Sequence, residues 1–190
     1  YGVGIFYPDF FIYLPAVLRM AGCSLEVSYK IYIFILLLEL FGSMYFCVRK
    51  KTGEIYPALA AGTLYLFSYP VIDGIFKSFT LAQTQALVFL PLALMGMVLF
   101  VEKDEFPWML GIGFTGLIYS HALSTAIAFV LCFVLLVFQL PKWIGKKRKW
   151  FYLMTAVASV SGITVSYWGP MLEQMKAQSY RVSQPWTHVS

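Results

Sequence analysis

Six apolar runs, each bounded by a short polar or basic turn, constrain this chain more than any single motif. They cover roughly 25–48, 55–69, 81–101, 106–119, 122–140 and 150–168, and several approach the ~20 residues that a helix needs to cross a bilayer. Only 12% of the 190 residues are charged and 60% are hydrophobic. Soluble domains carry about a quarter charged residues, so this chain has too little polar surface to cover itself in water. The expectation is an all-α integral membrane protein of about six transmembrane helices.

Local chemistry marks the ends of the runs. Ser24 is a suitable N-cap for the first, and Arg49, Lys50 and Lys51 close it. Pro70 closes the second, which is short and is expected to continue past the proline. Pro91 removes a backbone hydrogen bond and kinks the third. The fourth and fifth form a tight hairpin turning at Ser120 and His121, and Gly169-Pro170 stops the sixth. Small residues at four-residue spacing, Ala58 with Gly62 and Ala158 with Gly162 and Ser166, predict close helix contacts.

One apolar stretch, 7–22, is too short to span. It holds Pro8 and Pro15, with Asp9 near one end and Arg19 near the other, and fits a segment lying in the membrane interface. It predicts one short helix, or two broken at Pro15, across the ends of the spans. The organisation expected is an interfacial segment over 1–24, a transmembrane domain over 25–169, and a segment over 170–190 that leads into further chain. The start at Tyr1 and the polar end at Ser190 suggest a piece of a longer protein.

The net charge of +5 reports topology rather than nucleic-acid binding. Arg49, Lys50, Lys51, Lys103, Lys142, Lys146, Lys147, Arg148 and Lys149 fall in turns at one end of the alternating spans, leaving Arg19, Lys30, Lys77, Lys176 and Arg181 for the other. Short cytoplasmic loops carry the excess of Lys and Arg, which places both ends of the chain on the outer face of a bacterial plasma membrane. The basic run 146–149, beside Trp143 and Trp150, could also hold anionic lipid head groups. Three scattered cysteines support neither a disulfide framework nor a thiolate metal site.

Few residues can carry chemistry. Asp9 is both a reasonable N-cap and a carboxylate that could act as a base or bind a divalent metal; no cofactor is otherwise implied. Glu39 lies near the middle of the first span, where a carboxylate costs about 2 to 3 kcal/mol and normally faces a partner or a cavity. Its neighbours Gly42 and Ser43 place it on a small-residue face. Gln83 and Gln85 flank Thr84 near the outer end of the third span, His121 sits in the hairpin turn, and Glu173 follows the last span. Tyr7, Phe10, Tyr13, Tyr65 and Tyr69 form an aromatic belt, with sugar stacking open to those beside Asp9. Gly111-Ile112-Gly113-Phe114-Thr115-Gly116 matches G-x-G-x-x-G, but it lies within a span without the strand and βαβ unit that a dinucleotide site requires.

Tyr7-Pro8-Asp9-Phe10, Leu14-Pro15-Ala16, Leu64-Tyr65-Leu66-Phe67-Ser68, Phe89-Leu90-Pro91-Leu92 and Trp168-Gly169-Pro170-Met171-Leu172-Glu173 resemble bacterial multi-pass membrane proteins related to 6-pyruvoyl-tetrahydropterin synthase. That family is similar, distantly, to GT-C glycosyltransferases and YfhO-type membrane proteins. The resemblance implies transfer of a sugar from a polyprenyl-phosphate donor to an acceptor on the outer face. Asp9, His121 and Glu173 are then the catalytic candidates, and Tyr7, Tyr13, Arg19 and Gln83 the substrate-binding ones. Where such proteins lead one to expect an acidic residue before the third span, this chain has Thr80-Leu81-Ala82-Gln83. The pterin-synthase label implies no zinc, because a three-histidine site cannot be built from His121 and His188. The alternatives from other classes are a lipid or solute transporter working through Glu39 and Pro91, and a structural membrane subunit.

Overall fold

The computed structural model describes residues 8–103 and 105–177, and among these every regular element is a helix. In chain order they are α1 (Phe10–Met20), α2 (Leu25–Thr52), α3 (Ile55–Leu66), α4 (Tyr69–Phe76), α5 (Leu81–Glu102), α6 (Trp108–Ser120), α7 (Ala122–Trp143), α8 (Lys147–Ile163) and α9 (Val165–Ala177). The protein is an all-α membrane protein.

Local sequence sets the helix ends. Ser24 caps α2, its hydroxyl accepting from the Val27 amide at 3.2 Å. Gly53 ends the helix at φ 77°, a left-handed turn that glycine adopts without Cβ strain. Arg49, Lys50 and Lys51 fill the last turn, where cations favour the negative end of the helix dipole.

Three helices, α2, α5 and α7, are each long and apolar enough to cross a membrane. α3 and α4 together meet the same test as one span bent by 42°. The bend follows from Ser68, whose hydroxyl bonds back to the Tyr65 carbonyl at 2.7 Å while α4 restarts with Pro70 in its first turn. The remaining two expected spans are filled by shorter helices, α6 of 13 residues and α8 of 17. Gly169-Pro170 does not stop a helix: the break comes earlier, at Thr164, and α9 runs through Pro170. Buried Thr164 directs its hydroxyl to the Val160 carbonyl at 2.7 Å, closing α8 one turn sooner than the proline would. α1 is a single short helix that passes Pro15 unbroken, about 16 Å long at 1.5 Å per residue. It packs on α2, α5 and α6, with Phe11 and Leu14 against the cluster of Tyr32, Leu36, Leu40, Val71, Ile75 and Val88.

α5 is the centre of the bundle, packed by α2, α4, α6 and α7. Its closest neighbour is α6. A Cβ on Gly96 would meet the Leu110 backbone, one on Gly113 the Ala93 backbone, and one on Gly116 the Phe89 ring. Gly113 of the G-x-G-x-x-G stretch, together with Gly96, therefore lets two backbones approach, and Gly116 makes room for a ring. Ala58 and Gly62 do the same for α3 on α2, with Gly62 against Phe41. The Ala158, Gly162, Ser166 stripe is exposed instead; α8 reaches α6 through Ala156 and Val160, half a turn away.

The basic turns gather at one end of the bundle. Lys51 pairs with Glu102, joining the ends of α2 and α5, and Lys50 lies 4.9 Å from the Trp108 ring centroid. Lys149 is buried and donates to the carbonyls of Phe100 at 3.3 Å and Val101 at 2.9 Å, so it satisfies the last turn of α5. The rings of Phe100 and Trp143 lie over its ammonium, 5.9 and 5.3 Å from their centroids.

One substitution should have opposite effects at two glycines. Gly113→Ala should destabilise the protein by about 1–3 kcal/mol, because the Ala93 backbone has no room to give. Gly162→Ala, facing open space, should be neutral or stabilise by up to about 1 kcal/mol through helix propensity. Reversible unfolding in detergent measures both; equal effects would mean that α5 and α6 are not in backbone contact.

Candidate functional site

The bilayer offers no water to a polar side chain, so each one inside it must find a protein partner or face an opening. Glu39 is the one charged residue between Lys30 and Arg49 on α2, and α3, α5 and α6 bring no second charge to that level. Its partner is Gln85 of α5. The Gln85 amide donates from Nε2 to Glu39 Oε2 at 3.1 Å, and its Oε1 accepts from the Tyr32 hydroxyl at 3.2 Å. Tyr32 and Gln85 are buried whereas Glu39 is exposed. Tyr32 and Glu39 stand seven residues apart, two helical turns, which puts both on the α5-facing side of α2. The three make a polar chain from the core of the bundle to its side.

A second set of groups converges at the end opposite the basic turns. Asp9 holds the N-cap position of α1, yet its side chain makes no capping hydrogen bond, and it is exposed. It lies within electrostatic reach of Tyr167 on α9. The Tyr167 ring packs on Tyr119 of α6, centroids 6.4 Å apart. The Tyr119 hydroxyl donates to the Ile163 carbonyl at 2.8 Å and lies 2.6 Å from Ser166 Oγ, tying α6 to the α8–α9 break. The first turn of α1 thus meets α6 and α9 at one place. Phe10, next to Asp9, packs on Phe89 of α5 with centroids 6.1 Å apart.

Below this meeting point runs a groove of about 390 Å³ along α6, between α5 and α8. Phe106 and Trp108 line it near the basic end, Ile112 and Thr115 in the middle, and Tyr119, Ile163 and Phe10 near Asp9. Its walls are almost wholly apolar, and it opens at the side of the bundle.

The other residues singled out from the sequence fall in different places. Arg19 donates to the Cys23 carbonyl at 2.8 Å and so closes the C-terminal turn of α1. Tyr13 is exposed, its ring 6.3 Å from that of Phe10. Gln83 is exposed, and its neighbour Gln85 is the buried glutamine. Glu173 is exposed on α9. Tyr7 lies outside the described residues. His121 both ends α6 and caps α7: its Nδ1 accepts from the Ser124 amide at 3.3 Å and lies 2.9 Å from Ser124 Oγ. With Nδ1 accepting, the neutral ring carries its proton on Nε2, so His121 presents a donor rather than a base. Tyr119 carries no distinguishing signal as a site residue, because α6 is apolar on most sides and hydropathy gives no preferred face; Tyr167 is one aromatic among several, and nothing in the sequence separates Gln85 from Gln83.

The fold and this arrangement define a polytopic helical membrane protein with a laterally open apolar groove and a carboxylate at one end of it. A family profile described as the 6-pyruvoyl-tetrahydropterin synthase related domain, a membrane protein, matches residues 5–184. The chain belongs to that family. No curated protein and no solved structure matches it. Among the described residues, no group of three or more His, Cys, Asp or Glu side chains is placed to hold a metal ion.

Two predictions follow from these contacts. Gln85→Leu should cost about 2 kcal/mol, since it also strips Glu39 of its donor, whereas Tyr32→Phe should cost about 0.6 kcal/mol, the average for a hydrogen bond between membrane helices. Equal costs in detergent unfolding would show that Gln85 does not carry the chain. Burial holds His121 below the ordinary histidine value, so its unfolded form takes up a proton first as pH falls. Stability should then be full above about pH 6.5 and decline as pH drops through the lower folded value. His121→Asn keeps the cap and should flatten the melting temperature between pH 8 and pH 5.5; an unchanged pH slope would remove His121 as its cause.

Proposed function

We propose that the protein transfers a sugar from a polyprenyl-phosphate donor to an acceptor hydroxyl, with Asp9 as the base. One observation carries this reading: Asp9, an uncapped and exposed carboxylate, adjoins Phe10, which lines one end of an apolar groove that is open to the side. A lipid-linked donor has the matching form, a long apolar chain joined to a charged head. The chain would lie along α6 between Phe89 and Val160, and the phosphate and sugar would emerge beside Asp9, Tyr13 and Tyr167.

In the reaction, Asp9 accepts the proton of the acceptor hydroxyl as its oxygen bonds to the anomeric carbon. The bond from that carbon to the phosphate oxygen breaks, and the polyprenyl phosphate leaves along the groove. His121, a donor at Nε2, and exposed Glu173 are the supporting groups at the same end. The excess of Lys and Arg at the opposite end supports placing Asp9 on the outer face of the plasma membrane.

Transport of a lipid or solute is the second reading, and the Tyr32, Gln85, Glu39 chain favours it, because an ionisable side chain at midspan with polar partners commonly marks a transport path. Asp9→Asn and Glu39→Gln separate the two in a surface-glycan complementation assay. General-base catalysis contributes about 10²- to 10⁴-fold, so Asp9→Asn should lower transfer by at least about 100-fold, with Glu39→Gln close to wild type. Loss of function in Glu39→Gln alone would favour transport, and full activity in both variants would sink both readings.

A further inference from the structure

α7 and α8 each pack on α6, and a cleft of about 690 Å³ opens between them. This cleft lies on the other side of α8 from the groove beneath Asp9; the two share only Gly111, Ala156 and Val160, where α8 touches α6. Phe129, Phe133 and Leu136 of α7 face Leu153 and Val157 of α8 across it, with Phe114 of α6 as the floor. Its hydroxyls, Thr125 and Ser161, lie toward the end where α7 begins and α8 finishes.

About 9 Å beyond the last lining residues, Leu136 and Leu153, α7 and α8 are joined by the turn from Trp143 to Lys147, and that turn is basic. Lys142, Lys146, Lys147 and Arg148 are all exposed there. Two buried residues fix that turn to the bundle. Trp143 sets its ring edge-on to Phe100, centroids 5.1 Å apart, and Lys149 holds the last carbonyls of α5. The exposed cations are therefore presented at a constant position relative to the cleft.

We infer that this hairpin is a binding site for an anionic phospholipid, one acyl chain lying between α7 and α8 and the phosphate resting on the basic turn. Charge complementarity selects the head group: each Lys or Arg near a membrane surface attracts anionic lipid by about 1 kcal/mol, and a zwitterionic lipid offers no net charge to match. Shape selects the chain. A chain that follows one leaflet's ~15 Å of hydrocarbon from Lys142 and Lys147 passes about ten residues along each helix, over Leu136, Phe133, Leu153 and Met154 of the cleft lining. A cleft of this volume lies within the ~300–1,000 Å³ range of sites that enclose small ligands. Placed so, the lipid would fill the space between two helices that are joined at the turn by the edge-on rings of Trp143 and Trp150, centroids 6.0 Å apart.

The experiment uses the purified full chain, reconstituted in vesicles of equimolar phosphatidylglycerol and phosphatidylcholine with identical acyl chains. The protein is then re-extracted in detergent and the retained lipid weighed by native mass spectrometry. Phosphatidylglycerol should be retained over phosphatidylcholine by about tenfold or more. Neutralising the turn with Lys146→Gln, Lys147→Gln and Arg148→Gln, all on exposed side chains, should erase that preference. Met154→Trp, which lines this cleft within reach of the turn and does not line the groove beneath Asp9, should lower retention of both lipids with an unchanged elution profile. Equal retention of the two lipids by the wild type overturns the inference, as does undiminished retention in a properly folded Met154→Trp protein. Neither outcome bears on the transfer reaction, because none of these residues lines the groove at Asp9.

Discussion

The backbone contact between α5 and α6 is the constraint on which the rest of the bundle depends. α5 is apolar on nearly every side and would pack equally well on any apolar neighbour, so hydropathy cannot choose its partner. Glycine at 96, 113 and 116 makes that choice, since each position leaves room for a partner's backbone or ring. In a bilayer the lipid tails are as apolar as leucine, and association rests on such close packing and on hydrogen bonds between helices. Once α6 is fixed on α5, the tight turn at His121 sets α7 beside them, and α8 comes to rest on the outer face of α6 through Ala156 and Val160. The two lateral openings of the protein are the spaces left on either side of α8.

Polar groups register the helices that the glycines bring together. Gln85, in the second turn of α5, joins that helix to Glu39 of α2, Lys149 joins α8 to the end of α5, and Tyr119 joins α6 to the α8–α9 break. Each satisfies a group that would be costly to leave alone in hydrocarbon. The effect is to hold the two ends of the molecule distinct. One collects the cations, with Lys50 on Trp108 and Lys51 on Glu102; the other collects Asp9, Tyr119, Tyr167 and His121.

Much of this was legible in the sequence because it rests on local chemistry. The start of α2 at Ser24 and its end before Gly53 follow from capping rules, and the α6–α7 turn follows from the only polar cluster between two apolar runs. The short helix near Asp9 is legible from its length alone. What failed needed three dimensions. Gly169-Pro170 reads as a stop, but Thr164 closes α8 first, through a side-chain bond that no spacing announces. Ala158 and Gly162 have the right spacing for a contact face, yet both are exposed and a Cβ on Gly162 would meet nothing. Gln83 and Gln85 are indistinguishable in composition, and only the position of α2 decides that Gln85 is the one that meets Tyr32 and Glu39.

In the proposed reaction the groove along α6 holds the chain of a lipid-linked donor, and its reactive head lies beside Asp9. The most direct measurement is to irradiate the purified protein in nanodiscs with a polyprenyl phosphate carrying a photoreactive group on its isoprenoid chain and to map the crosslinked peptides. Crosslinks should fall on α6 and α8 at Ile112, Thr115, Ser159 and Ile163, and should be lost when Thr115→Trp fills the groove. Crosslinks confined to the side of α2 around Glu39, or spread evenly over all lipid-facing helices, would contradict that placement.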